Sequence, residues 1–104
     1  MILKQLNVTA LTGVVDTLNE YGCTAKAANG TMIPGPNGHE MFHAQDVYID
    51  AKSLLGMLAL MSSPKTEKVN LVLDEFDNTN DMIELTKKLS PFFETDRQTA
   101  MAVA

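Results

Sequence analysis

The chain has 104 residues, of which 45% are hydrophobic and 20% are charged, and its formal net charge is −5. This length and composition predict one globular domain over residues 1–104, with a single core. Because basic patches supply most of the affinity for nucleic acid, and no basic cluster here exceeds Lys87-Lys88, the acidic balance argues against a nucleic-acid partner.

Cysteine usage and the apolar runs indicate a compartment. The single cysteine, Cys23, cannot form an internal disulfide, and the N-terminus has neither the apolar region nor the cleavage site of a secretory leader. The longest strongly apolar run, residues 54–61, has eight residues, whereas a bilayer span needs about 20. We therefore expect a soluble, cytoplasmic protein with no membrane association.

The first elements in chain order are a strand and a helix. Alternation over residues 2–8 predicts a strand that places Ile2, Leu6 and Val8 on one face. A short amphipathic helix then follows Thr9 or Thr12 as its cap and stops before Gly22. Four apolar residues at helical spacing form its predicted buried stripe: Leu11, Val14, Val15 and Leu18.

A long hairpin is predicted at about residues 23–50. Its first strand covers residues 23–33, which alternate weakly, and the turn signal IPGPNG then reverses the chain. The returning segment MFHAQDVYID is rich in β-forming residues, and we expect Val47 and Ile49 to face the core.

The second half of the chain predicts a helix, a strand and a helix. Asp50 is the expected cap of a helix over Lys52 to Met61, and Lys68 to Asp74 alternates as a strand. Asn78 or Asn80 is expected to cap the last helix, and Pro91 to bend or end it. The buried stripe of that helix is predicted to be Met82, Leu85, Leu89 and Phe92.

The resulting order, β-α-β-β-α-β-α, predicts an α+β fold: an open-faced β-sandwich in which three helices cover one face of an antiparallel four-stranded sheet. The tail, residues 95–104, has no strong pattern. A flexible end and an added half-helix are both open for it.

Two motifs, one with histidines and one acidic, match parts of known metal-site signatures. HEMFH, residues 39–43, matches a zinc-protease signature, which works only on a helix, where His39 and His43 stack beside the general base Glu40. The neighbouring turn and strand signals favour an extended segment instead. An EF-hand at DEFDNTND is excluded because Met82 and Lys88 occupy the positions of its glycine and its glutamate. No metal or cofactor is predicted.

Residues 50–60, DAKSLLGMLAL, resemble the second-helix region of HPr, the histidine-containing phosphocarrier of the sugar phosphotransferase system. The shared pattern is Lys-Ser, two apolar residues, Gly and further apolar residues ending in Leu. The resemblance continues through VNLVLD and the last helix, and it covers residues 45–93 well and 1–22 loosely. Residues 24–44 have no assignable counterpart.

The phosphate-carrying histidine of that family has no equivalent here. The family places it at the start of the first helix in Gly-x-His-x-Arg-Pro, whereas this chain reads Thr9-Ala10-Leu11-Thr12-Gly13-Val14. Threonines without a nearby base are poor nucleophiles. We therefore expect no enzyme activity and no ordinary phosphocarrier relay.

The resemblance implies instead a regulatory site on the second helix. Ser53 matches the serine that a dedicated HPr kinase phosphorylates in Gram-positive members, after which the protein acts with transcription regulators. The implied partners are HPr kinase, phosphotransferase proteins or transcription regulators, and the implied docking residues are Lys52, Leu54, Leu55, Met57 and Leu58. Since apolar residues occupy too much of this helix for one core stripe, one or two are expected at the surface.

Several alternatives stay open from sequence. Ser53 is also an ordinary first-turn residue, and the long hairpin is long enough to fold over the apolar helix. A phosphocarrier using His39 or His43 is the second functional hypothesis, and a small zinc hydrolase at HEMFH is the third. The oligomeric state is not predicted.

Overall fold

The structure, a computed structural model, describes residues 1–94, so the expectations for the tail 95–104 lie outside the described residues. Three helices and four strands are formed in this part of the chain. In order they are α1 Val8–Leu18, β1 Thr24–Pro34, β2 Glu40–Ala44, β3 Ile49–Asp50, α2 Leu54–Ser62, β4 Lys68–Asp74 and α3 Thr79–Leu89, with short 3₁₀ turns at Pro36–Gly38 and Ser90–Phe92.

The sheet is antiparallel and is organised around β1. One edge of β1 pairs with β4 from Thr24↔Asp74 to Gly30↔Lys68, and the other edge pairs with β2 and then β3. The three helices pack on one face, which confirms the predicted α+β open-faced sandwich. Strand β4 has the predicted bounds, and the hairpin of β1 and β2 is also present as predicted.

The core lies between the helices and one face of the sheet. On β1 the inward residues are small, Ala25 and Ala27, and they lie opposite Leu73 and Leu71 of β4. All four residues predicted for the stripe of α1 are buried, as are Leu85 and Leu89 of α3. Small side chains on the central strand let the helix layer approach the sheet closely.

A bulge separates β2 from β3 on the same edge of β1. Gly30 of β1 lies opposite Ala44 of β2, and Ala27 of β1 lies opposite Ile49 of β3. Three steps along β1 thus correspond to five steps along the neighbouring segment, so this segment contains two extra residues. Tyr48, in this bulge, accepts a hydrogen bond on its hydroxyl from Asn70 Nδ2 of β4 at 3.2 Å. Its side chain therefore crosses the face of the sheet that carries no helices, which we call the open face, over the fully buried Ala28.

Asn29 ties β1 to the segment that follows α2. Its Nδ2 donates to Thr66 Oγ1 at 3.2 Å, and the Thr66 hydroxyl donates to the Leu60 carbonyl at 2.8 Å. Asn29 is 1% exposed, and its Oδ1 has no hydrogen-bond partner. The chain thus keeps an amide inside the core where it fixes the end of α2.

The predicted first strand is wrong. Asn7 caps α1 by accepting from Ala10 N at 2.8 Å, so the helix begins before Thr9 and Thr12, the caps expected from sequence. Residues 1–4 form backbone hydrogen bonds with neighbouring segments, but their strand pairing is limited to isolated bridges from Ile2 to Asn70 and from Leu3 to Phe93. Leu3 is buried and Val8 is 57% exposed, the reverse of the predicted faces.

Other local predictions also need correction. Val47 was expected to face the core and is 82% exposed, because the bulge interrupts the alternation on which that prediction relied. Met82 was expected in the buried stripe of α3 and is 42% exposed. Asn78 is the cap of α3, one of the two predicted residues, and α3 ends at Leu89, just before Pro91. Within residues 1–94 no helix has the length and apolar character to cross a membrane.

Candidate functional site at the start of helix α2

Ser53 is the cap of α2 rather than a residue of its first turn. Its backbone is extended, with φ −91° and ψ 110°, and its Oγ accepts a hydrogen bond from Gly56 N at 3.1 Å. Asp50, the predicted cap, instead accepts from Lys52 N at 2.9 Å and lies outside the helix. Ser53 is exposed, so its hydroxyl is open to solvent at the positive end of the helix.

Lys52 anchors this site to the end of α1. Its Nζ donates to the Tyr21 carbonyl at 2.6 Å, and Asn19 Nδ2 donates to the Lys52 carbonyl at 3.0 Å. Lys52 is half-buried, and its hydrogen bond to the Tyr21 carbonyl fixes the position of its ammonium group. Asn19 and Tyr21 were not identified from sequence, since these contacts span more than 30 residues and leave no local pattern.

The apolar side chains of α2 divide sharply by exposure. Met57 is 1% exposed and belongs to the core, so the docking role expected for it does not fit. Leu54 and Leu58 are half-buried and pack against the core. Leu55 is 81% exposed. The helix therefore leaves one large apolar side chain at the surface, as expected from sequence, and the hairpin does not cover it.

Ile49 of β3 supports α2 from below. A Cβ built on Gly56 would lie 3.2 Å from Ile49 Cδ1, so the helix backbone sits close to the sheet edge at this point. Gly56 thus lies on the side of α2 that faces Ile49, whereas its neighbour Leu55 faces solvent. The site therefore consists of the capped end of α2 and the part of this helix that packs on Ile49.

A depression of about 320 Å³ lies next to this site, at the end of β3. Its lining includes Lys26, Asp50 and Lys52, whose charges are mixed, and the buried thiol of Cys23. The Asp50 carboxylate would oppose an added negative charge at the site, whereas the two lysines would favour it. The formal charge of the lining is thus +1.

The resemblance to HPr would place a phosphocarrier histidine in the first turn of α1. The residues there, Thr9 to Thr12, follow the Asn7 cap and include no titratable side chain. His39 and His43 lie instead on the hairpin, where His43 is opposite Thr31 of β1, and both histidines are exposed. Within residues 1–94, no hydrogen bond joins either histidine to α1.

The zinc-protease geometry is absent from HEMFH. Glu40–Ala44 is strand β2, as predicted, and His39 has extended backbone at its start. On a strand, residues four apart are separated by about 13 Å, too far for one ion to bind both imidazoles. Among residues 1–94 no group of three or more His, Cys, Asp or Glu side chains is arranged to hold a metal ion.

Comparisons with known proteins give no assignment for this chain. No protein-family model matches it, and neither a curated protein nor a solved structure gives a significant match.

Proposed function

We propose that this protein is a non-catalytic, HPr-like docking module that binds protein partners through the exposed side of α2 and is switched by phosphorylation of Ser53. The observation that carries the proposal is the 81% exposure of Leu55, two residues after an exposed serine at the helix cap. A large apolar side chain exposed on a helix gains free energy when it leaves water for an apolar pocket of a partner.

The serine is suited to act as a switch for physical reasons. A phosphate on Ser53 would carry nearly two negative charges to the first-turn amides of α2, among them Gly56 N, which already donates to the Ser53 hydroxyl. It would also place these charges beside Leu55. Phosphorylation would therefore change the surface from apolar to strongly anionic without requiring a change of fold.

The switch can be tested by incubating the full chain with an HPr kinase and ATP and measuring its intact mass. We expect the mass of one phosphate to be added to the parent and to Ser63→Ala, which alters the serine at the other end of α2. Ser53→Asn should gain nothing, although asparagine preserves the cap. Absence of phosphate on the parent, or its presence on Ser53→Asn, removes the switch from the proposal.

A relocated phosphocarrier site is the second candidate, favoured by the exposure of both His39 and His43. It predicts acid-labile phosphate on the chain after incubation with phosphoenolpyruvate and enzyme I, and loss of that phosphate in His39→Gln or His43→Gln. Our leading proposal predicts no such transfer, because His39 follows a 3₁₀ turn and His43 lies within strand β2, so neither imidazole occupies the first turn of an α-helix.

A further inference from the structure

The dipeptide Asn-Gly occurs twice in the chain, at Asn29-Gly30 and at Asn37-Gly38. Such a pair can deamidate spontaneously, because glycine has no side chain to hinder its backbone amide from attacking the side chain of the preceding asparagine. The two pairs are chemically identical but lie in very different surroundings. The fold should therefore decide which of them reacts.

The first pair, Asn29-Gly30, is held firmly within strand β1. Asn29 is 1% exposed, and its Nδ2 donates to Thr66 Oγ1 at 3.2 Å. Gly30 is paired with Ala44 of β2 on one edge and with Lys68 of β4 on the other. Attack would require the Gly30 amide to rotate out of its place between these strands. A strand paired on both edges opens far more rarely than an exposed turn, so this pair is protected.

The second pair lies at the tip of the β1–β2 hairpin, which is the turn Pro36–Gly38. Asn37 and Gly38 are both exposed, and both have left-handed backbone, with φ of 61° and 77°. Among residues 1–94, neither the Asn37 side chain nor the Gly38 amide has a hydrogen-bond partner. A Cβ built on Gly38 would meet no atom outside the turn within 4 Å. The side chain and the amide of this pair are therefore free to approach each other.

We infer that Asn37 is a site of spontaneous deamidation, with water as the only co-reactant, and that the fold protects Asn29. The Gly38 nitrogen forms a bond to Cγ of Asn37. The bond between Cγ and Nδ2 breaks, and ammonia leaves with the proton of the Gly38 amide. Water then adds to either carbonyl carbon of the cyclic imide and breaks the bond of that carbon to nitrogen. Addition at Cγ gives aspartate, and addition at the backbone carbonyl gives isoaspartate.

Both products alter the hairpin tip. Each adds one carboxylate to a chain whose formal net charge is already −5. Isoaspartate also adds one carbon to the main chain, inside a turn closed by hydrogen bonds from His39 N to the Pro36 carbonyl at 3.2 Å and from Gly35 N to the His39 carbonyl at 2.6 Å. The reaction thus changes the charge of the tip and the length of its backbone.

Incubation of the full, folded chain in mildly alkaline water enriched in heavy oxygen tests this inference, with peptide mapping by mass spectrometry as the readout. Each deamidation places one heavy oxygen in the new carboxylate. We expect label at Asn37 well before any label at Asn29. The same incubation in guanidinium chloride is the reference, because unfolding should let both residues react at similar rates. Absence of label at Asn37 in the folded chain overturns the inference, and so does labelling of Asn29 at an equal or higher rate.

A variant assigns the reaction to Asn37 independently. Asn37→Gln should lose the acidic species that the parent forms with time on anion-exchange chromatography, because glutamine would have to close a larger ring. Asn80→Gln is the matched control, since Asn80 is also exposed but precedes Asp81 rather than glycine, and it should form the acidic species like the parent. Formation of the acidic species at the parental rate in Asn37→Gln would place the reaction elsewhere and overturn the inference.

Discussion

The two halves of β1 show how one strand serves two purposes. Thr24–Gly30 pairs with β4 on one edge, and its other edge pairs with β3 at Lys26 and Ala27 and with β2 at Gly30. The alanines of this half are buried, whereas residues 31–34 pair on one edge only and expose Ile33 to 39%. Burial thus follows the neighbours of the strand rather than the size of its apolar side chains. The first half forms the platform that supports α2, and the second half presents backbone and apolar surface to solvent.

Truncating one leucine in the supported half should have the largest effect. Leu71 lies opposite Ala27 and is 1% exposed, so Leu71→Ala should lower the free energy of unfolding by about 3 kcal/mol through lost burial and a cavity. Ile33→Ala in the outer half should cost less than about 1 kcal/mol. Urea unfolding measures the free energy of unfolding of both variants. Similar decreases would show that the two halves of β1 do not differ in packing.

The junction between the halves should be intolerant of a side chain. A Cβ on Gly30 would lie 2.6 Å from Phe42 Cζ and would clash with the His43 carbonyl oxygen, so Gly30→Ala should destabilise the protein by about 2 kcal/mol. Gly56→Ala is the control, since its nearest contact is the flexible end of Ile49. The midpoint of thermal unfolding should fall clearly for Gly30→Ala only. Equal decreases in the two variants would argue against close packing at Gly30.

The stability of the protein should depend measurably on the cap of α2. Ser53→Ala removes the acceptor for Gly56 N and should lower the free energy of unfolding by about 1 kcal/mol. Ser53→Asn should stay near the parent because its side chain can accept the same hydrogen bond. If Ser53→Ala unfolds at the same urea concentration as the parent, the cap is not formed.

The smallest expected effect on stability comes from the contact of Tyr21, which follows α1, with Glu84 of α3. This contact does not involve either half of β1. The hydrogen bond from the Tyr21 hydroxyl to Glu84, 2.8 Å long, and the charge of Lys88 lower the pKa of Glu84 below its ordinary 4.5. Because the folded pKa is depressed, this contribution to stability is present above pH 4.5 and is lost as the pH falls through the folded value.

Tyr21→Phe should therefore raise the pKa of Glu84 toward its ordinary value and reduce the loss of stability on acidification. Carboxyl carbon shifts followed by NMR against pH measure the first effect directly. Tyr48→Phe is the control, since its hydroxyl contacts Asn70 on the open face instead. An unchanged pKa in Tyr21→Phe would contradict the assigned cause.

Local sequence patterns predicted much of the fold. The alternation of β4 and the helical spacing of the buried residues in α1 were read correctly because each is complete within about ten residues. Val47 was misplaced because a bulge shifts the register without any glycine or proline to mark it. Asn7 and Ser53 compete as caps with other suitable residues nearby, and only the folded geometry selects between them.

The candidate site was predicted in part. The number of apolar residues on this helix correctly indicated that one or two of them are exposed, but it did not separate Leu55 from Met57. That separation depends on how α2 sits over Ile49 and the sheet edge, and on contacts from Asn19 and Tyr21 to Lys52. These are long-range contacts between residues that show no periodic relation in sequence.

Binding of an HPr kinase without ATP, measured by calorimetry, tests most directly whether the exposed side of α2 is a docking surface. Leu55→Ala should weaken binding about tenfold, because an anchor side chain at a protein interface contributes at this scale. Val47→Ala, which truncates a side chain of equal exposure on the bulge, should bind like the parent. No binding by the parent, or equal binding by Leu55→Ala and the parent, would contradict the proposed docking function.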